Sequence, residues 1–500
     1  MHRRTAFAAG LVVTGALLLS SCASPDPAPT STGSPDADAS VAIRLVLEPG
    51  NLDIRETAGA ALDQILMDNI YQGLVARTPE QDIVPALAED WAVSPDGLEY
   101  TFTVREGVLF HDGQELTAQD VVWSLETRKA TPAWRDSGRL ANVTSITADG
   151  QEVTLSLEEP DSSLLWNLTG RAGVILKQDD TVDYKTSANG TGPFTFGTWR
   201  QGDSITFDRN PEYWGDAAGV AEVVFDYIPD NQAALNAALA NEIDVVTGFD
   251  ANLAEQIEAG GDFTVVLGQS TDKGTLAMNQ TSGPLADERV RQAIRQAIDH
   301  DAFVEALASG STLYGPIPEL DPGWEDLADV APHDPAAARE LLAEAGAEDI
   351  DLTLTIPNFY ATTIPQILVS NLHEVGITLE VESVDFPTWL TDVYTNKDYE
   401  LSFVLHTEAR DFENWADPDY YFTYDNPEVQ ELFAQSLAAV DEAEASRLLA
   451  EAGRLVSEDA AADWLFSGAS VVAVGTNIAS MPSINVNERL NLAELTKSDG

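Results

Sequence analysis

The sequence is poor in cysteine, histidine and basic residues. It has one cysteine and six histidines, and its 26 Lys and Arg stand against 83 Asp and Glu. One cysteine cannot form a disulfide within the chain. His373-Glu374 lacks the second histidine of a zinc-binding helix, so no metal site is predicted. A formal net charge of −57 repels phosphate backbones and excludes nucleic acid as a partner.

The acidity has two explanations that stay open. It keeps a protein surface soluble, including in a saline environment, and it attracts cationic solutes. The apolar fraction of 44% is that of a globular chain, and 500 residues are too many for one core. We therefore expect two or three domains.

The N-terminal residues predict that the protein is secreted and attached to a membrane. Residues 2–4 are basic, and residues 6–19 form an apolar run shorter than the roughly 20 residues that span a bilayer. This pattern is typical of a secretory signal, here residues 1–22. Leu19-Ser20-Ser21-Cys22 resembles the bacterial lipobox, with Ser21 as a departure. Because Cys22 is the only cysteine, we expect it to be the lipidation site at the extracytoplasmic face of the cell membrane.

Residues 23–40 are nearly all Ala, Ser, Pro, Asp, Thr and Gly. Such a segment has too few apolar side chains to bury a core. It predicts a disordered tether that holds the folded domains away from the lipid anchor.

Residues 352–405 show an alternation of strands and helices. Apolar residues alternate over 352–356, 377–383 and 399–405, and the segments between them have helical spacing. Strand–helix–strand–helix–strand predicts a parallel sheet with right-handed crossovers. Ligands bind beyond the carboxyl ends of such strands.

The segment after the third of these strands combines acids with aromatic rings over residues 406–422. The mixture suits a pocket wall, with rings that stack on a ligand and carboxylates that hold its polar ends. The alternative is a sheet edge covered by a solvated acidic loop. We take the cleft as the hypothesis, and its candidate ligand-binding residues are Tyr360, His406, Glu408, Asp411, Glu413 and Trp415.

Several motifs along the chain carry a family resemblance. They are Pro85-Ala86-Leu87-Ala88-Glu89-Asp90-Trp91, Ser94-Pro95-Asp96-Gly97-Leu98, Phe110-His111-Asp112-Gly113, Thr117-Ala118-Gln119-Asp120, Gly190-Thr191-Gly192-Pro193-Phe194 and Asn210-Pro211-Glu212-Tyr213-Trp214. In this order the chain resembles the extracellular solute-binding proteins of the peptide and nickel family, family 5, which serve ATP-driven importers. The resemblance covers nearly the whole mature chain.

The resemblance implies an α/β fold of two lobes, periplasmic-binding-protein-like of type II, with mixed sheets and a cleft that closes about a hinge. Lobe one would be residues 41–268, including an extra subdomain at about 76–189. Lobe two would be residues 269–474, and residues 475–500 would return to lobe one. The signature stretch near residues 85–122 is expected to be structural, away from the ligand.

The position of the ligand-binding aspartate of family members cannot be assigned to one residue of this sequence. Peptide-binding members hold the peptide amino terminus with an aspartate shortly before an Asp-Pro-Asp run, here Asp417-Pro418-Asp419. Counting from the strand places that position near Glu408 or Ala409, whereas counting from Asp417 places it at Asn414. Family position adds Asn279 and Trp389 as weaker candidates, and a core role for Trp389 is an equal alternative.

The resemblance therefore implies a binding protein, not an enzyme. The expected ligand is an oligopeptide or another amine-bearing solute, with a metal chelate, haem, an opine or an oligosaccharide as alternatives. Membrane permease and ATPase subunits are the expected partners of a monomer that needs no cofactor. A secreted hydrolase and a surface adhesin are the rival classes, but no Gly-x-Ser-x-Gly elbow occurs.

Overall fold

The computed structural model describes residues 34–57, 59–487 and 489–498. The predicted signal, Cys22 and most of the predicted tether lie outside this range. The described residues form the following strands: β1 (Ser40–Leu45), β2 (Val75–Arg77), β3 (Ile83–Pro85), β4 (Ala88–Val93), β5 (Glu99–Val104), β6 (Val143–Asp149), β7 (Glu152–Leu157), β8 (Phe194–Arg200), β9 (Ser204–Arg209), β10 (Glu222–Tyr227), β11 (Val245–Thr247), β12 (Phe263–Met278), β13 (Ile350–Pro357), β14 (Ile377–Val384), β15 (Leu401–His406), β16 (Ala462–Gly475), β17 (Ile478–Ala479) and β18 (Thr496–Lys497).

The α-helices pack around these strands. They are α1 (Ala60–Leu66), α2 (Ala118–Ala130), α3 (Leu164–Thr169), α4 (Asn231–Leu239), α5 (Ala254–Glu258), α6 (Glu288–Ala297), α7 (His300–Leu307), α8 (Pro335–Ala345), α9 (Thr363–Glu374), α10 (Phe386–Trp389), α11 (Glu413–Ala416), α12 (Pro427–Ala438) and α13 (Glu442–Glu458). Among the described residues, no helix is long and apolar enough to cross a membrane.

One mixed sheet of ten strands runs through both lobes, in the order β14-β13-β15-β12-β16-β11-β1-β10-β9-β8. The first three strands belong to lobe two and the last five to lobe one. The two central strands, β12 and β16, pair antiparallel along their length and so join the two halves. Each half has its own buried apolar core, as expected for separate lobes.

The pairing of β12 with β16 is irregular at the junction of the halves. Gln269 pairs with Ala469 and Lys273 with Ser467, so residues 270–272 stand opposite Gly468 alone. An extra length of chain in one strand breaks the ladder and lets the strand bend. β11 pairs with β16 on one side of this break, and β15 pairs with β12 on the other. The break therefore lies between the part of the sheet that β11 joins and the part that β15 joins.

The strand–helix alternation predicted in lobe two is confirmed. β13 pairs parallel with both β14 and β15, with α9 between β13 and β14. The third strand begins at Leu401, so Tyr399 precedes it, and the predicted second helix is α10 followed by a π-helical turn at Leu390–Thr395. β15 also pairs antiparallel with β12, so the whole sheet is mixed.

The segment near residues 76–189 carries its own four-stranded antiparallel sheet, in the order β4-β5-β7-β6, and a separate apolar core. Helix α2 begins with a capping box. The Thr117 side chain accepts from the Asp120 backbone N–H, and the Asp120 carboxylate accepts from the Thr117 backbone N–H. Both orphan donors at the helix start are thereby satisfied.

One expectation about lobe one needs correction. The tether was expected to reach residue 40, but Pro35 forms a β-bridge with Ser498 and the Asp36 N–H donates to the Lys497 carbonyl at 2.8 Å. Hydrogen bonding to the C-terminal segment therefore makes residues 35–40 part of the folded lobe.

Candidate functional site

A cavity of about 1170 Å³ lies between the extra subdomain and lobe two. Its walls come from residues 77–91 and 135–171 on one side and residues 316–322 and 407–449 on the other. Cavities that hold drug-sized ligands are typically about 300–1,000 Å³, so this one admits a ligand of that size or larger. Of the signature stretch at residues 85–122, Trp91 lines the cavity.

The loop that follows β15 forms part of the lobe-two wall, and the buried side chain of Lys273 anchors it. Lys273 Nζ donates to the Glu408 carbonyl at 2.7 Å and lies 3.1 Å from Asp411 Oδ1. Burial alone would lower the pKa of Lys273, but the carboxylates of Asp411 and Asp321 raise it above its ordinary value. Lys273 therefore stays charged and fixes the backbone of the loop.

Asp321 holds the same loop from the opposite side. Its Oδ2 accepts the Arg410 backbone N–H at 2.7 Å, and the Ala409 N–H donates to Asn487 Oδ1 at 3.0 Å. Arg410 has a φ of 53°, in the left-handed region that few non-glycine residues adopt. Burial raises the pKa of Asp321 to about 6, against the opposing effect of Lys273.

Several contacts cross the cleft and join its two sides. Arg139 Nη1 lies 2.7 Å from Glu413 Oε2. The Ser162 backbone N–H donates to the Leu437 carbonyl at 2.8 Å. The Arg410 guanidinium lies 3.8 Å from the centre of the Trp166 ring. The lobes are therefore in contact around the cavity.

The three acids predicted from the sequence all line this cavity. Glu408 is exposed, and among the described residues its carboxylate has no ion-pair partner. Asp411 is buried and paired with Lys273, and Glu413 is paired with Arg139. Glu408 is thus the acid with a carboxylate left for a ligand, and ligand binding by all three stays a prediction.

The three predicted rings make contacts with the protein interior instead. The Tyr360 hydroxyl accepts the Leu405 backbone N–H at 2.9 Å. Trp389 is buried, and its Nε1–H donates to Ser402 Oγ at 2.9 Å. Trp415 is buried as well. The alternative of a core role for Trp389 therefore agrees with its placement.

Trp415 stacks on Phe422 with ring centres 3.9 Å apart, and neither Trp415 nor the other two rings line the cavity. The physical reason is burial, because a large aromatic ring in a small loop gains most by packing against other rings. A ligand-facing role was expected for these rings, and their packing does not support it.

His406 and Asn279 also have structural partners. His406 Nε2 is 2.8 Å from the Tyr421 hydroxyl, and burial lowers the pKa of His406. Asn279 Nδ2 donates to the carbonyls of Lys397 and Tyr399, which fixes the turn before β15. Both side chains hold the framework beneath the site.

Three side chains have potential metal-ligating atoms within 4.8 Å of one another: His406, Glu408 and Asp411. The ammonium group of Lys273 already neutralises Asp411, and His406 Nε2 is engaged by Tyr421. A cation beside that ammonium group would be repelled. We therefore assign no metal site to this trio.

Sequence reasoning missed the residues that the extra subdomain contributes to the cavity. The most prominent are Trp166, Arg77, Arg139 and Ser162, together with Arg410 and Asp321 from lobe two. Trp166 and Arg139 lie about 250 residues from the loop they contact, and nothing in local periodicity connects them. A closing contact between distant segments leaves no local sequence signal.

Comparisons with known proteins agree with this architecture. The model for bacterial extracellular solute-binding proteins, family 5 middle region, matches residues 82–428. The chain is 26% identical over 442 residues to the glutathione-binding protein GsiB of Pectobacterium atrosepticum, covering 82% of this chain and 84% of that protein. It is 26% identical over 392 residues to di/tripeptide-binding protein 2 of Pseudomonas aeruginosa, covering 71% and 73%.

Two solved structures show the same fold. The periplasmic binding protein DppA of Helicobacter pylori, in complex with the peptide STSA, is 23% identical with a TM-score of 0.77, over 92% of this chain and 98% of that one. The substrate-binding protein CtaP of Listeria monocytogenes is 19% identical with a TM-score of 0.83, over 93% and 100%. At these identities the likeness establishes the two-lobed fold alone.

Proposed function

Because the chain belongs to the bacterial extracellular solute-binding proteins of family 5, we propose that it captures a small solute between its lobes and delivers it to an ATP-binding-cassette importer. The observation that carries this proposal is the cavity, since its walls come from the extra subdomain and from lobe two. A ligand that contacts both walls stabilises the closed form over the open one. The membrane permease and its ATPase are the proposed partners.

We propose a peptide as the ligand. Relatives are named for glutathione and for di- and tripeptides, and the cavity presents both acidic and basic side chains to match the two charged ends of a peptide. The free carboxylate of Glu408 is the proposed acceptor for a ligand ammonium group. A metal chelate, haem, an opine or an oligosaccharide is the alternative ligand.

A few such contacts provide enough binding free energy to close the lobes. Converting a mostly open population to a mostly closed one requires about 5.5 kcal/mol of differential binding. A hydrogen bond to a charged group contributes roughly 1.5–3 kcal/mol. Two charged contacts at opposite ends of a solute, together with burial of its apolar part, are sufficient.

The test is a thermal-shift screen of the purified mature chain against di- to nonapeptides, glutathione, metal chelates, opines and oligosaccharides, followed by calorimetry on each hit. We expect free peptides to raise the unfolding temperature, by an amount that grows with the logarithm of their concentration above Kd. Stabilisation by sugars or chelates alone would replace the peptide assignment. Turnover of a peptide or glycan would contradict a binding role without catalysis.

We further propose that Cys22 carries the lipid that holds the protein at the extracytoplasmic membrane face. One acyl chain gives marginal anchoring, so a stable attachment needs more than one chain. In the native host, Cys22→Ala is expected to move the protein from the membrane fraction to the medium. Membrane retention of that variant would contradict the proposed anchor.

The domain division is also part of the proposal. Lobe one spans residues 35–268 with the extra subdomain at about 76–189, lobe two spans 269–474, and residues 475–500 return to lobe one. The return is consistent with Asn69, which bonds the Leu490 carbonyl and accepts the Leu492 N–H. The chain works as a monomer in this proposal.

A further inference from the structure

Arg410 lines the cavity with a cationic side chain, and the nearby carboxylates of Asp321 and Glu442 raise its pKa without pairing with it. Its backbone N–H is bound to Asp321, but within the described chain its guanidinium forms no ion pair, and its Nε is buried without a hydrogen-bond partner. The guanidinium instead lies 3.8 Å from the Trp166 ring centre. Burial lowers the pKa of Arg410, which reflects the cost of removing the cation from water.

A second arginine contacts the same ring. The Arg77 guanidinium lies 4.3 Å from the Trp166 ring centre, and its Nη1 has one partner, the amide oxygen of Gln81 at 3.2 Å. Burial lowers the pKa of Arg77 well below its usual range, and the neighbouring cations of Arg489 and Arg410 lower it further. Asp321 raises the pKa of both arginines through space, but neither guanidinium group forms an ion pair among the described residues.

Other cations at or near the cavity have acid partners, except Arg135, an exposed residue of the lining that forms no ion pair among the described residues. Arg171 is paired with Asp63, and Arg489 with Asp68.

Lys273 and Arg139 follow the same rule, since they pair with Asp411 and Glu413. The sequence has 83 acidic residues, so the lack of an ion-paired carboxylate at Arg77 and Arg410 does not follow from a shortage of acids. A buried charge is stable when it is paired, and an incoming anion would supply the missing partner here.

From this arrangement, and resting on the function proposed above, we propose that Arg410, with Arg77 beside it, is an anion subsite that binds a carboxylate of the captured peptide. The guanidinium fork matches the two oxygens of a carboxylate. Trp166 holds the fork in position from the opposite wall, so the subsite is complete when the lobes meet. The acidic net charge of the chain then does not restrict its cargo to cations.

The experiment compares three peptides by calorimetry on the mature chain: trialanine, trialanine amide, and the amide of alanyl-glutamyl-alanine. Trialanine carries a C-terminal carboxylate, its amide carries none, and the third carries a side-chain carboxylate alone. We expect a carboxylate to tighten binding by about 10- to 100-fold over trialanine amide. The peptide that gains shows whether a terminal or a side-chain carboxylate is the source.

Variants assign the gain to the subsite. Arg410→Gln and Arg77→Gln are each expected to reduce the ratio between the affinity for the carboxylate peptide and the affinity for trialanine amide, and this ratio is the readout whatever the variants do to binding of the amide itself. The matched control is Arg105→Gln, because Arg105 lies over Trp214 at 4.7 Å in the same manner and does not line the cavity. Arg105→Gln should leave the ratio unchanged.

The outcomes separate the two proposals. If all three peptides bind wild type equally, the anion subsite is overturned while peptide binding stands. That comparison needs no variant, so it holds even if Arg410→Gln fails to fold. If none of the three binds, peptide binding is contradicted, and the subsite for a peptide carboxylate is overturned with it. If Arg410→Gln keeps the full ratio, the carboxylate lies elsewhere.

Discussion

Arg139 in the extra subdomain and Glu413 in the loop after β15 form an ion pair 2.7 Å long, at residues that are 274 positions apart in the chain. The pair joins the two walls of the cavity at its rim. Both side chains are more than a third exposed, at 39% and 45%. Solvent therefore screens the pair, and it guides closure more than it holds the lobes shut.

Removing this ion pair is expected to have a small effect. Arg139→Gln should weaken ligand binding less than about fivefold, since exposed ion pairs contribute about 0–1 kcal/mol. The effect should disappear in 1 M salt, where charges are screened within a few ångströms. Calorimetry at low and high salt measures both. The swapped variant Arg139→Glu with Glu413→Arg is the control, and a hundredfold loss would show that the rim pair is essential.

Glu408→Gln is expected to weaken binding of free peptides by about tenfold, because it removes the unpaired carboxylate that faces the cavity. N-acetylated peptides, which lack the ammonium group, should bind the variant and the wild type alike. Calorimetry with each peptide pair measures the difference. Glu382→Gln is the matched control, because Glu382 is an exposed acid on β14 outside the cavity. Equal losses for free and acetylated peptides would contradict the proposed ammonium contact.

The acids of this loop could be located from the sequence, whereas the rings could not. A carboxylate that follows a buried parallel strand is placed at the ligand edge of the sheet, and Glu408 and Asp411 do line the cavity. Their binding of a ligand stays a prediction. An aromatic ring in the same loop can instead pack inward against other rings. Trp415 does so by stacking on Phe422.

The remaining part of the site depends on contacts between distant segments. Trp166 lies on α3, and its position opposite Arg410 follows from how two separately folded units meet. Local periodicity predicts the helices and strands of each unit, but it carries no information about the interface between the two units. The family resemblance supplied the two-lobed frame, and the structure adds which side chains face each other.

Gly468→Ala is expected to impair closure without touching the cavity. A Cβ at this position would lie 2.9 Å from the Cβ of Asp272 and 3.3 Å from Ser270 Oγ, inside the irregular pairing that joins the lobes. If the neighbours shift, the open and closed populations shift with them, and the apparent Kd changes by the same factor.

We expect an apparent Kd weakened by roughly tenfold in Gly468→Ala, since about 1.4 kcal/mol lost from the closed form is one order of magnitude. Small-angle scattering with and without ligand measures the compaction that accompanies closure. Gly50→Ala is the control, because a Cβ there would meet no atom within 4 Å. Wild-type affinity and compaction in Gly468→Ala would place the hinge elsewhere.

The buried carboxyl of Asp321 is expected to make the stability of the protein depend on pH. Its pKa is raised from 3.8 to about 6, chiefly by burial, so the folded state binds the proton more tightly than the unfolded state. A raised pKa contributes stability that is fully present below pH 4 and is lost as the pH rises through 6. The difference corresponds to about 3 kcal/mol.

Asp321→Asn removes this titration, so the free energy of unfolding of wild type minus that of the variant should fall by about 3 kcal/mol between pH 4 and pH 7. Urea unfolding at each pH measures it. Asp351→Asn, an exposed position on β13, reports the general effect of losing one carboxylate. A difference that rises with pH would mean that Lys273 and Arg410 stabilise the carboxylate more than burial destabilises it. The loop would then be held by the charged form of Asp321.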